Sequence, residues 1–408
     1  MRTTRNVLLG IALLASAAAG QGIPAARPPL AIETNFPGGA AHVESINPAA
    51  RSIHIKPPDI PDRGWPCWWY FKVTGVEPGE TLTLEVAGGG YALPDRASFS
   101  LDNQTWAHTA PGRRTKGSVT WTQKVDAREA WFAWGPPYLP SHAAALIERA
   151  TKACPCAAAF QLCRTLEDRP VPALRVSQPG AADGERLGVW VQARQHAWES
   201  GGSWVCQGFT EWLTSSDPRA ESLRKMALVT IVPIMDVDNV VRGAGGKNEK
   251  PQDHNRDWSD QPHWRSVEAA ERGIKEMNAG GRLALFIDLH NPGPGDRVPF
   301  FYTGPRDLMT ALQKTNLDDF LAAAKAEMTG PLAISSTTKE SGPKYDANWQ
   351  RISKNWVYRN SNNHVVAVTL ETSWNTPHST PEGYLRVGKE LGLAIERHLR
   401  SHALKPAP

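Results

Sequence analysis

His196 and Glu199, in the run Gln195-His196-Ala197-Trp198-Glu199, are the first pair in this sequence whose types and spacing could do chemistry. An imidazole and a carboxylate three residues apart in one tight turn can point the same way. Together they supply two of the three protein donors of a His₂Glu zinc site. The same spacing also arises by chance on incidental strand ends, so the pair needs company. Two further segments provide it: His290 closes the apolar run Leu283-Ala-Leu-Phe-Ile-Asp-Leu-His290, and Glu371 closes His364-Val-Val-Ala-Val-Thr-Leu-Glu371. One zinc ion held by His196, Glu199 and His290, with the Glu371 carboxylate nearby and off the metal, accounts for all three segments at once.

Each of these residues follows a buried-strand pattern, and in open α/β sheets ligands gather where strands end at their carboxyl side. Strand patterns cover 174–178, 187–193, 227–233, 283–289 and 365–370, interleaved with helical patterns at 143–154, 204–213, 264–277, 307–328 and 381–402. Strands alternating with helices predict an α/β catalytic domain over 141–403, with a mixed central sheet flanked by helices. From about 30 to 140 the period is two. Runs such as Trp69-Tyr-Phe-Lys-Val-Thr, Thr81-Leu-Thr-Leu-Glu-Val and Gly117-Ser-Val-Thr-Trp-Thr are separated by Gly, Pro and Asp turns. That pattern predicts a small antiparallel β-sandwich over 21–140, for which a carbohydrate-binding module is the competing reading.

Taken in order, these motifs resemble the zinc metallocarboxypeptidases, and within them the cytosolic-carboxypeptidase-like subfamily and its bacterial relatives. His196-x-x-Glu199 followed by Ser203-Trp204 and Gly208 is similar to the first metal motif and the helix after it. Ile231-Val-Pro-Ile-Met-Asp-Val-Asp238-Asn-Val-Val-Arg-Gly243 resembles the subfamily's strand and Asn-Pro-Asp-Gly segment. His254-Asn255-Arg256-Asp257-Trp258 resembles its Asn-Arg motif, and Trp131-Phe-Ala-Trp-Gly-Pro-Pro-Tyr138 the junction between its two domains. The resemblance implies that Glu371 takes a proton from the attacking water and returns it to the leaving amine. It also implies that Asn255 and Arg256 hold a C-terminal carboxylate, for which the planar fork of Arg suits both oxygens.

Three departures from the family pattern bear on specificity. Ala197-Trp198 replaces a Pro-Gly, and Asp236-Val-Asp238-Asn stands at the Asn-Pro-Asp-Gly position. The oxyanion cation is carried over only loosely to Arg242, with Lys247 as the alternative. The substrate-covering tyrosine has two candidates, Tyr345 and Tyr358. The expected activity is an exported zinc carboxypeptidase acting on peptides with a free C-terminal carboxylate. An amidase acting on cell-wall peptides and a non-catalytic metal-containing binding protein are the alternatives.

Composition narrows the partners. A formal net charge of +4, or +2 once Arg2 and Arg5 are removed, argues against a nucleic-acid surface. Arg2 and Arg5 precede an apolar stretch from Val7 to Ala19 and a small-residue site at Ala17-Ala18-Ala19, which reads as a signal peptide over 1–20. The stretch is shorter than the ~20 residues a membrane span needs, so the mature protein is expected to be secreted or periplasmic without stable membrane association. Among Cys67, Cys154, Cys156, Cys163 and Cys206 the expectation is one or two disulfides within 154–206, with Cys154-Pro-Cys156 too tight to close on itself.

Overall fold

The computed structural model describes residues 28–179 and 186–403. The signal peptide read over 1–20 lies outside them. Residues 31–133 form two five-stranded sheets. One has the order Ala31–Glu33, Tyr70–Thr74, Glu129–Ala133, Ser98–Ser100, Ala107–His108; the other runs His42–Asn47, Ser52–Lys56, Glu80–Ala87, Ser118–Val125, Arg113–Thr115. Alternation in Glu80–Ala87 buries Leu82, Leu84 and Val86 and turns the intervening side chains outward. These inward residues meet Trp69, Phe71 and Phe132 of the other sheet, with the Trp69 and Trp121 rings 5.9 Å apart.

Pairing is antiparallel except between Ser52–Lys56 and Glu80–Ala87, which run parallel. Apart from that pair, the antiparallel sandwich expected from the period-two runs is what forms. The chain leaves Ser52–Lys56, crosses to the other sheet as Tyr70–Thr74, and returns to its first neighbour from the same end.

The second part is an eight-stranded mixed sheet flanked by helices. Its order is Ala157–Arg164, Pro170–Val176, Ala227–Val232, Leu187–Ala193, Leu283–His290, Val366–Glu371, Phe300–Thr303, Lys339–Glu340. The four central strands, from Ala227–Val232 to Val366–Glu371, are mutually parallel and almost wholly buried. Helices cover both faces, which is why these strands read as continuous apolar runs instead of alternating ones. Register sets the carboxyl ends side by side: Ala193 opposite Leu289 and His290 opposite Glu371.

Helix Ser200–Leu213 leaves the first of those ends and packs on the C-terminal helix Pro381–Ala403. The two backbones touch. A Cβ on Gly208 would stand 2.1 Å from the Leu385 carbonyl oxygen, and one on Gly388 2.1 Å from that of Val205. Gly208 is therefore a packing requirement of the helix that starts at the site.

One disulfide within 154–206 agrees with the expectation, but its place corrects the reading that Cys154-Pro-Cys156 is too tight to close on itself. The structure joins Cys154 to Cys156 and leaves Cys67, Cys163 and Cys206 as thiols. The chain turns sharply there, with the Ala157 N–H donating to the Cys154 carbonyl at 3.0 Å. The two Cα atoms come to 5.0 Å, inside the range a disulfide spans.

Candidate active site

His196 and Glu199 occupy the loop between strand Leu187–Ala193 and helix Ser200–Leu213. The loop is braced by Arg194, a non-glycine residue at φ +69° that is 2% exposed. Its Nε donates to the Ala197 carbonyl at 2.7 Å and its Nη1 to the Tyr138 carbonyl at 3.0 Å. Trp198, which replaces a small residue of the family pattern, turns into an aromatic stack with Trp134 at 5.2 Å and Trp374 at 5.8 Å. The indole lines the cavity of the metal donors and also fastens the loop to the junction between the two parts of the chain.

The three expected metal donors converge. His196 Nδ1 lies 2.8 Å from Glu199 Oε1, and His290 Nδ1 lies 2.7 Å from Glu199 Oε2. The far ring nitrogens face other carboxylates: His196 Nε2 is 3.1 Å from Asp253, and His290 Nε2 is 2.9 Å from Asp288. Asp253 and Asp288 thus accept the Nε2–H of each ring, the arrangement in which Nδ1 carries a lone pair. Two lone pairs directed at one carboxylate, all of it buried, are satisfied by a cation between them. A carboxylate on the far nitrogen of each ligating histidine, fixing its ring, is the usual support of such a site. The donor set and its surroundings therefore fit zinc. Without a cation the two rings must instead be protonated to bind Glu199; burial then raises its carboxyl, but the two imidazolium ions outweigh that and hold it down at about 2.

A second buried group, Asp236, Glu249 and His254, also brings ligand atoms within 4.8 Å of one another. There the carboxylates are already bridged by the Asn239 amide, at 2.8 and 2.6 Å, and His254 Nδ1 lies 2.6 Å from Glu249. The group fastens the loop 243–257 to the end of strand Ala227–Val232, and Asp236 also caps helix Val237–Arg242. That accounts for Asp236 and Asn239, which serve the loop that carries Lys247, Asp253, Asn255 and Arg256, whereas Asp238 pairs with Thr165 and Arg169.

Glu371 shares the cavity with the three donors. Its Oε2 is shielded from solvent and has no hydrogen-bond partner among the described residues. Burial pushes this carboxyl up to about 7. Asn255 contacts His290 Nε2 at 3.3 Å through its amide and accepts from the Ser353 N–H at 3.0 Å. Arg256 lines the cavity with Nε on Asp346 at 2.7 Å, not on Asp257 or Asp260. Tyr345 is 49% exposed at the mouth, its ring 5.9 Å from the Arg256 guanidinium. Tyr358 lines a different cavity, so of the two tyrosines only Tyr345 stands at the site.

Arg242 is a correction. It ends helix Val237–Arg242 and pairs with Glu167 at 2.6 Å on the surface, away from the cavity. After Gly243 and Gly246, both at positive φ, the chain turns back so that Lys247 lines the cavity instead. Its Nζ lies 3.1 Å from Asp253. Gly246 is required there, because a Cβ would stand 2.7 Å from Asp236 and 2.8 Å from the Ala197 nitrogen.

Sequence reasoning missed Asp253, Asp288 and Lys354. Lys354 is 1% exposed, lines the same cavity and donates to Ser341 Oγ at 2.5 Å. No carboxylate lies at ion-pair distance from it among the described residues. Its ammonium stands 5.6 Å from the Tyr302 ring, and burial, reinforced by Arg256, brings its pKa down to about 7.

Comparison with known proteins agrees with this geometry. Residues 144–385 match the family described as zinc carboxypeptidase, and residues 32–134 match the cytosolic carboxypeptidase N-terminal domain. Cytosolic carboxypeptidase 2 of Danio rerio is 25% identical over 268 residues, covering 58% of this chain and 37% of its own length. An uncharacterized Zymomonas mobilis protein is 28% identical over 249 residues, covering 59% and 63%. The chain thus spans less than two thirds of either relative. Among solved structures, a metallo-carboxypeptidase from Burkholderia cenocepacia superposes with a TM-score of 0.77 at 22% identity, covering 91% of this chain and 100% of that one. A metallo-carboxypeptidase from Pseudomonas aeruginosa gives 0.75 at 20% identity, covering 90% and 98%. At those identities what is shared is the fold.

Proposed function

The chain belongs to the zinc carboxypeptidase family, a peptide hydrolase family that uses one zinc ion, and from that membership we propose that it removes single residues from the free C-termini of peptides in an exported compartment. The observation that carries the reading is one cavity lined by the His196–Glu199–His290 donors, the unpartnered carboxylate of Glu371, and Arg256. His196, Glu199 and His290 are the residues we assign to the metal. When bound, zinc supplies Lewis acidity toward a peptide carbonyl and makes water more acidic. Glu371 then takes the proton from the attacking water as the C–O bond forms, and delivers it to the nitrogen as the C–N bond breaks. A carboxylate can do both only if it is free of other partners and within reach. Lys247 supports the charge that develops on the carbonyl oxygen.

Arg256 sets the exopeptidase register by accepting the terminal carboxylate, its plane held by Asp346 on Nε. Asn255 and Tyr345 flank it. The deciding experiment is cleavage of paired peptides with free and amidated C-termini, read by mass spectrometry. The wild-type protein should trim only the free form. Arg256→Ala should lose roughly 10²-fold in kcat/KM on it, the cost of leaving a buried charge unpaired. Equal cleavage of both forms would overturn the carboxypeptidase register.

The buried ammonium of Lys354 supports a finer reading, preference for an acidic C-terminal residue. A side-chain carboxylate entering the cavity supplies the partner that the protein withholds, and pairing in a dry site is worth far more than at the surface. Replacing Lys354 by Met should lower kcat/KM on peptides ending in Asp or Glu by roughly 10²-fold and leave Leu-terminated peptides within a few-fold. A wild-type enzyme indifferent to the charge of the last residue would contradict it.

Export rests on Arg2, Arg5 and the Val7–Ala19 stretch. The Cys154–Cys156 disulfide supports it, because disulfides persist in oxidising compartments. None of the described helices is long and apolar enough to cross a membrane. N-terminal sequencing of the protein recovered from cell fractions should find Met1 removed with the segment; an intact Met1 on cytoplasmic protein would refute export.

A further inference from the structure

A cavity of about 440 Å³ lies outside the hydrolytic site and shares no lining residue with it. Ser341 marks how near the two spaces come. It lines the catalytic cavity and accepts from Lys354 Nζ through its Oγ, while its carbonyl accepts from Asn355 Nδ2, and Asn355 lines the other cavity. Asn355, Tyr358 and Arg359 share one face of helix Ser353–Asn360, at spacings of three and four, and all three line this second space.

Asn355 is 2% exposed. Its Nδ2 donates to the carbonyls of Ser341 and Trp349, both at 2.8 Å. Carbonyl oxygens only accept, so the amide can face one way and Oδ1 is its free atom. That atom is shielded from solvent and has no hydrogen-bond partner among the described residues. It is directed at Gly304 on the cavity wall, where a Cβ would stand 3.0 Å from it. A buried acceptor without a donor is costly, and an N–H brought in by a ligand would remove that cost.

The charge of the cavity is one-sided. Arg359 is exposed, is the one charged side chain of the lining, and has no carboxylate at ion-pair distance among the described residues. Met309, Thr310 and Gln313 bring the N-terminus of helix Ala311–Glu327 to the wall, and that helix has no acidic residue in its first turn. A helix N-terminus favours an anion. Thr310 Oγ1 donates to the Asn363 carbonyl at 2.8 Å and Gln313 Nε2 to that of Asn362 at 3.3 Å, so those carbonyl oxygens are already taken and the wall is fixed in advance. The rest of the lining is largely apolar, with Pro305, Leu308, Met309 and Trp349. Leu308, at 64% exposed, is the most exposed large apolar side chain among the described residues.

We propose that this cavity is a second small-molecule site, for an apolar carboxylate that carries an N–H, the chemistry shared by a free apolar amino acid and its N-acylated form. The carboxylate lies at Arg359 and the positive helix end, the N–H meets Asn355 Oδ1, and the apolar body covers Leu308, Met309 and Trp349. Cβ atoms four residues apart on a helix are ~6 Å from each other, so one small molecule reaches Asn355 and Arg359 together. The assignment stands on the cavity itself and does not require the carboxypeptidase reading.

The test is a ligand-observed NMR titration of the zinc-loaded protein with N-acetylphenylalanine. The catalytic cavity offers a carboxylate partner of its own in Arg256, so the titration is run on Arg256→Ala as well as on the wild type. Binding with a Kd of about 1 mM should survive in Arg256→Ala, the affinity expected of ~15 heavy atoms at ordinary efficiency. Adding Arg359→Glu or Leu308→Asp should weaken it about tenfold. Both positions are exposed, so neither change threatens the fold as one at buried Asn355 would. The uncharged N-acetylphenylalanine amide should bind about tenfold more weakly, and 3-phenylpropanoate, which lacks the N–H, severalfold more weakly. Free phenylalanine run in parallel shows whether the amine or the acylated form is the better fit. No binding to Arg256→Ala at about 10 mM ligand, or binding that neither Arg359→Glu nor Leu308→Asp weakens, overturns the site.

Discussion

Glu371→Gln protein is expected to bind zinc with wild-type stoichiometry and to turn over peptide roughly 10³-fold more slowly, the middle of the range for loss of a general acid–base group. Gln keeps the size of the side chain and its ability to hydrogen-bond water, and removes only its ability to carry a proton. The position is suited to that role by what it lacks. Strand Val366–Glu371 delivers the carboxyl to the cavity beside His290, yet Oε2 makes no hydrogen bond among the described residues. Burial alone would push the carboxyl up to about 7; a divalent cation at the neighbouring donors acts in the opposite sense and favours the ionised base.

The wild-type profile of kcat/KM should therefore fall on its acid side as Glu371 becomes protonated, and the Gln variant should lose that limb and show a flat residual rate. Glu371→Asp, which keeps the proton chemistry but retracts it by one methylene, should fall between the two. A Gln variant with wild-type kcat would overturn the assignment of Glu371. A Gln variant that lost its zinc would place Glu371 on the metal instead of beside it.

Much of this site is legible in the sequence because the central strands are buried on both faces. Leu187–Ala193, Leu283–His290 and Val366–Glu371 read as apolar runs that stop at chemically competent residues, and parallel register then brings those stops together. Lys354 was not legible for the opposite reason. Within Ser353-Lys354-Asn355 it looks like a solvated helix start. Its inward direction is set by contacts far away in sequence, Ser353 Oγ on Asp288 at 2.7 Å and the Ser353 N–H on Asn255 at 3.0 Å.

The choice between Arg242 and Lys247 depended on backbone geometry that composition does not carry, the left-handed turns at Gly243 and Gly246. The edge strand Ala157–Arg164 and the helices Pro218–Met226 and Ser353–Asn360 were missed because they are half-exposed or short, and their apolar periodicity is weak. The roles of Asp253 and Asp288 follow only once the direction of each imidazole is known. A carboxylate near a histidine in sequence says nothing about which ring nitrogen it faces.

Those two carboxylates give the metal assignment its sharpest test. His290→Ala removes one of three donors, and the remaining His196 and Glu199 cannot hold zinc against a chelator that leaves the wild-type protein loaded. Asp288→Asn leaves all three donors in place but weakens the acceptor that orients His290, which also takes hydrogen bonds from Gln195 and Ser353. Loss of such a partner costs roughly 10- to 100-fold in metal affinity, so this variant should bind zinc detectably but release it at lower chelator concentration. Thermal melts supply an independent readout, since a ligand bound only by the folded state raises the Tm. Added zinc should raise it in the wild type, less in Asp288→Asn, and not at all in His290→Ala. Full zinc retention in His290→Ala would move the metal elsewhere, and Asp236, Glu249 and His254 are the other buried donor group among the described residues. That group lies outside the cavity that holds Glu371 and Arg256. Zinc bound there could not serve hydrolysis by those residues, so this one measurement tests the metal site and the mechanism together.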